Sequence, residues 1–122
     1  MNHPNNEAFR SWQDGQVQSC EDQRQALFAD HRVDESNFEK VRANVYGIFR
    51  TVFDAAHKAH DDAEKAHLFF LQKLDEIPAN WQTSLDNAQA HGDETKAHLE
   101  RLKLDAAGQI KAAYLRAQED AL

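Results

Sequence analysis

The segment Ala59-His60-Asp61-Asp62-Ala63-Glu64-Lys65-Ala66-His67-Leu68-Phe69-Phe70-Leu71 decides how this chain folds, because it reads either as the middle of one long helix or as a junction between two. Most of it recurs 31 residues on, as Ala90-His91-Gly92-Asp93-Glu94-Thr95-Lys96-Ala97-His98-Leu99-Glu100-Arg101-Leu102. The shared pattern is A-H-x-D-x-x-K-A-H-L-x-x-L. A one-residue shift extends it backwards through Thr51, Phe53, Asp54 and Ala56, matched by Thr83, Leu85, Asp86 and Ala88.

Around the first copy, apolar or small residues fall at Phe38, Val41, Val45, Ile48, Val52, Ala56, Ala59, Ala63, Ala66, Phe70, Leu74 and Ile77, in steps of three and four. That cadence predicts one helix over about 36–77, stopped by Pro78 and opened by a Ser36/Glu39 capping box. Asn80 can cap the next helix, whose stripe runs through Trp81, Leu85, Ala88, Gly92, Thr95, Leu99, Leu102, Ala106, Ile110, Ala113 and Ala117 to about residue 120. Two helices of roughly 42 residues, each about 60 Å long and joined near Ala79, must fold back as an antiparallel hairpin. Asp61 or Asp62 can cap a new helix after His60, and Gly92-Asp93 has the form of a stop followed by a start. The stripe runs on through both places, which favours continuity.

Ahead of the hairpin, Pro4 suits a first helical turn, and Phe9, Trp12, Cys20 and Leu27 share a stripe, so a shorter helix is expected over about 5–31. The expected fold is therefore all-α, a single domain over residues 1–122, with a long antiparallel hairpin and a shorter N-terminal helix. The half of the hairpin near Pro78 lacks a third partner in this arrangement. Leu68-Phe69-Phe70-Leu71 lies there and is apolar around most of the helix circumference. A second copy of the chain is the simplest cover. The expectation is a homodimer with a four-helix bundle at its tip, using Leu68, Phe69, Phe70, Leu71, Leu104 and Leu115.

Composition bounds the function. The 122 residues carry a formal net charge of -7 and 29% charged residues, with a mean hydropathy of -0.80, which describes a well-solvated surface over one modest core. The acidic balance argues against a nucleic-acid backbone as partner. No apolar run approaches the roughly 18 to 20 residues of a membrane-spanning helix. The first seven residues lack a basic segment followed by an apolar one, which points to the cytoplasm. Cys20 is the single cysteine, so thiolate clusters are excluded, and it reads as a buried structural thiol beside Val17 and Leu27. Scattered glycines and serines form neither a phosphate-cradling loop nor a nucleophile elbow. No enzymatic activity is expected.

The histidines are the remaining chemistry. With a turn at Ala79, His60 lies level with His98 and His67 with His91, and Glu64 sits between the layers. Imidazole and carboxylate suit zinc, nickel or iron, so His60, Glu64, His67, His91 and His98 form a candidate metal set. Glu64-Lys65-Ala66-His67 resembles the Glu-x-x-His element of ferritin-like di-iron proteins, and His60 to Glu64 is similar to the His-x-x-x-Glu element of hemerythrin-like ones. Thr95 stands where a second Glu-x-x-His needs its carboxylate, and neither family is assigned. On a helical wheel the two histidine pairs sit on opposite rotational sides of their stripes. Two other readings stand beside the metal: half-covered boundary residues bonded to neighbouring carboxylates, or a pH-sensitive interface. The leading expectation is a non-enzymatic helical interaction or scaffold protein, a homodimer or an adaptor for a helical partner, without cofactor. A metal-binding helical bundle is the alternative.

Overall fold

A computed structural model describes residues 4–120, and they are helical almost throughout. Four helices follow one another: α1 (Pro4–Ala29), α2 (Val33–Ala59), α3 (Ala63–Ala90) and α4 (Glu94–Asp120). Short junctions make successive helices antiparallel, giving an up-down-up-down bundle. Of the two diagonals, α2 and α4 approach closely while the α1 and α3 backbones stay apart.

The expected three-helix protomer is thus corrected to four helices. The break falls at His60-Asp61-Asp62, inside the segment that the apolar stripe crosses without a slip. His60 is extended (φ -125°, ψ 115°), and Asp62 caps α3 by accepting the Glu64 N–H at 2.8 Å. Packing explains why the chain bends here. In one continuous helix Phe53 and Phe70 would stand about 25 Å apart; folded back, their rings meet at 5.2 Å. Phe9 of α1 and Tyr114 of α4 complete a layer in which all six ring pairs lie between 4.7 and 6.2 Å. Burying each such ring contributes roughly 1.5–3 kcal/mol, against about 1 kcal/mol net for each backbone hydrogen bond given up at the bend. Burial wins.

Pro78 does not end a helix. It lies inside α3, although an interior proline costs about 3 kcal/mol in an isolated helix. Leu74 before it and Trp81 and Leu85 after it hold one inward stripe, and Leu74 and Leu85 are buried. Asn80 is accordingly mid-helix and caps nothing. The expected Ser36/Glu39 capping box is also absent: α2 begins three residues earlier at Val33, and the buried Ser36 hydroxyl donates to the Arg24 carbonyl of α1 at 2.9 Å.

The two outer junctions share one geometry. His31 (φ 61°) follows α1, with Arg32 N–H bonded to Leu27 O and His31 N–H to Phe28 O. Gly92 (φ 70°) follows α3, with Asp93 N–H bonded to Ala88 O and Gly92 N–H to Gln89 O. Both are left-handed helix stops in which two otherwise orphaned carbonyls are satisfied. These junctions are 61 residues apart, and so are the starts of α2 and α4 (Val33 and Glu94). The core repeats on the same offset, pairing Phe9 with Phe70, Gln13 with Leu74, Phe49 with Ile110 and Phe53 with Tyr114, all buried. The molecule is two helical hairpins of similar build, joined at His60-Asp61-Asp62.

Candidate interaction surface and the histidine junctions

The five proposed metal ligands do not come together. His60 is the C-terminal cap of α2, its ring 5.4 Å from that of Phe69. Glu64 is exposed in the first turn of α3. His67 turns inward, with Nδ1 2.6 Å from the Tyr114 hydroxyl and the two rings stacked. His91 caps the far end of α3, its Nδ1 facing the Asn87 carbonyl at 2.8 Å. His98 lies edge-on to Phe38 at 4.6 Å, in a shallow groove between the first turns of α2 and α4 that also includes Asp34, Glu94 and Leu99. The 24 residues from His67 to His91 place the pairs about 36 Å apart along α3. Among the described residues no group of three or more His, Cys, Asp or Glu is arranged to hold a metal. The expected level-matching assumed a turn at Ala79; with the turn at Gly92, His67 meets Tyr114 instead of His91.

The duplicated segment has a structural meaning of its own. Each copy spans a helix end and the next helix start: His60 and His91 are C-terminal caps, while Asp62 and Asp93 accept backbone N–H groups of the following helix, from Glu64 and Lys96. The alanine of each K-A-H-L, Ala66 and Ala97, is buried in the first turn.

A fifth histidine, outside the candidate metal set, makes the most connected polar contact. His57 is half-buried, and its Nδ1 lies 3.0 Å from the Phe53 carbonyl, so the ring proton belongs there and Nε2 accepts. Asn6 Nδ2 donates to that Nε2 at 3.2 Å, and Gln118 Nε2 donates to Asn6 Oδ1 at 3.3 Å. One polar chain thus ties α1, α2 and α4 together at the end where the hairpins are joined. Arg10 with Asp54 (2.9 Å) and Arg50 with Asp14 (2.8 Å) clasp α1 to α2 beside it.

The expected dimer surface divides in two. Phe70 is wholly buried within the protomer, and Phe69, Leu71 and Leu104 are half-buried against its cores. One flank was expected to leave Leu68 to Leu71 uncovered; α1, α2 and α4 of the same chain cover most of it. Leu68 and Leu115 remain, 57% and 40% exposed. The α3/α4 register is set by His67 on Tyr114 and by the Asp75–Lys111 ion pair at 2.7 Å, so Leu68 and Leu115 stand at one level on adjoining helices. Phe28, Val33 and Ile48 are also exposed but lie on the other hairpin.

Three buried groups, Cys20, Tyr46 and Tyr114, hold their protons more tightly than usual, burial being the first cause in each. Burial first, and then the adjacent Glu39 carboxylate, push the Cys20 thiol up to about 11. Burial alone pushes the Tyr114 phenol up to about 12. All three stay protonated at neutral pH, and Cys20 is a core thiol rather than a nucleophile. No described helix is long and apolar enough to cross a membrane. Searched against protein-family models, curated proteins and solved structures, the chain matches none.

Proposed function

We propose that this chain is a non-enzymatic helical interaction protein that works by associating with a second copy of itself through the outer face of the α3/α4 hairpin. The observation behind this reading is the exposed pair Leu68 and Leu115, level with each other on adjoining helices. The half-buried Leu71 and Leu104 flank the same helices, and an isologous contact would place each protomer's leucines on the other's. Light scattering over a range of concentrations tests it. The wild-type protein is expected to dimerise, and a Leu68→Glu, Leu115→Glu variant to dimerise at least about tenfold more weakly. A wild-type chain that stays monomeric at high concentration overturns the proposal.

A further inference from the structure

We infer that the chain has a second state, an exchanged dimer in which α2 and α3 run on as one helix over 33–90 and each hairpin packs on the opposite hairpin of another copy. The surface used is the one between the hairpins, so the inference goes beyond the outer-face contact.

Three observations lead here. First, the middle junction is unlike the outer two. Those are stopped by left-handed residues, His31 and Gly92, whereas His60 (φ -125°) and Asp62 (φ -80°) are merely extended. The segment holds neither glycine nor proline, so nothing in it forbids a helix. Second, the apolar cadence Ala56, Ala59, Ala63, Ala66, Phe70 crosses the junction in steps of three and four, as a continuous helix requires. Small side chains at 56, 59, 63 and 66 also let two such helices cross closely. Third, the hairpins are already complementary. The layer of Phe9, Phe53, Phe70 and Tyr114 takes one ring from each helix, and exchange rebuilds it with two rings from each copy.

Opening costs the Asp62 cap on the Glu64 N–H. It gains helical partners for the amides of Asp61, Asp62 and Ala63, which then bond one turn back. All inter-hairpin burial is recovered, so concentration governs the balance, and a junction of three residues suits domain swapping.

The test uses the whole chain refolded at high concentration and separated by size. A dimer fraction is expected, with amide exchange at Asp61, Asp62 and Ala63 slowed by about tenfold or more relative to the monomer. Ala63→Pro is the blocking variant. Proline is welcome at the first helical position, and the extended Asp62 before it has the backbone that a residue preceding proline prefers. In a continuous helix the same proline clashes one turn back. Ala63→Pro is therefore expected to fold as the wild type does, to keep the outer-face dimer and to lose the exchanged dimer with its slowed linker amides, while Asp61→Ala, Asp62→Ala raises the exchanged share. A dimer that persists in Ala63→Pro but not in Leu68→Glu, Leu115→Glu overturns exchange and leaves the outer-face contact standing. The reverse pattern supports exchange and removes the outer face. Absence of any dimer, or linker amides that exchange equally fast in monomer and dimer, also overturns it.

Discussion

Gln13 and Leu74 occupy equivalent positions in the two hairpins, each buried one helical turn beyond a ring of the four-ring layer, Phe9 and Phe70, yet only Leu74 belongs there by polarity. Gln13 is 0% exposed, and neither end of its amide has a hydrogen-bond partner. A buried amide without partners costs about 1–3 kcal/mol. Gln13→Leu, similar in volume, is therefore expected to raise the stability by about that amount. Urea denaturation reads it as a higher midpoint at unchanged slope.

The left-handed stops predict opposite effects at equivalent sites. His31 at φ 61° holds a conformation that costs a β-carbon about 1–2 kcal/mol, which glycine avoids. His31→Gly is expected to stabilise by about 1 kcal/mol and Gly92→Ala to destabilise by about as much. Open space around Gly92 means the loss comes from the backbone and not from a clash. A thermal melt of both variants checks the pair; a shift of the same sign in both would refute the account.

The four-ring layer is the most sensitive part of the core. Phe70→Ala removes one ring from contact with three others and is expected to cost about 3–5 kcal/mol. Set against a total of about 5–15 kcal/mol for a domain of ordinary stability, that brings the variant close to unfolding. Circular dichroism during heating measures it.

Alkaline pH should weaken the fold. The folded state holds the Cys20 and Tyr114 protons more tightly than the unfolded chain, whose values are near 9.0 and 10.0. Their contribution is complete below the unfolded values and is lost as pH rises through the folded ones. Stability is therefore expected to fall between about pH 9 and 12, and less steeply in a Cys20→Ala, Tyr114→Phe variant. Urea midpoints at stepped pH decide it.

The helical class was legible throughout, because inward residues at steps of three and four leave one reading. The junctions were less so. In an antiparallel bundle the stripe of one helix hands over to the next without losing cadence, so Ala59 and Ala63 look continuous although the chain bends between them. Asp62 and Gly92 held the local signals for a cap and a stop, and at both the local signal was right while the stripe misled. At Pro78 the reverse held: packing of Leu74 and Leu85 overrode the residue most averse to helix interiors. The histidine site failed for a reason of leverage. Moving one turn from Ala79 to Gly92 re-pairs every residue of α3, so His67 finds Tyr114. The 31-residue repeat was visible in the sequence because it marks two junctions of one kind; the 61-residue correspondence of Phe9 with Phe70 and Phe53 with Tyr114 carries little sequence identity and emerges from the helix bounds and the buried positions.

The hydrogen bond from Gln118 to Asn6 has a topological consequence. It holds the beginning of α1 and the end of α4 side by side, so a short peptide is enough to join them. Cutting such a closed chain within the exposed Gly92 turn would give a circular permutant that begins with α4. Its four helices would keep the same neighbours, and the bundle would not depend on where the polypeptide starts.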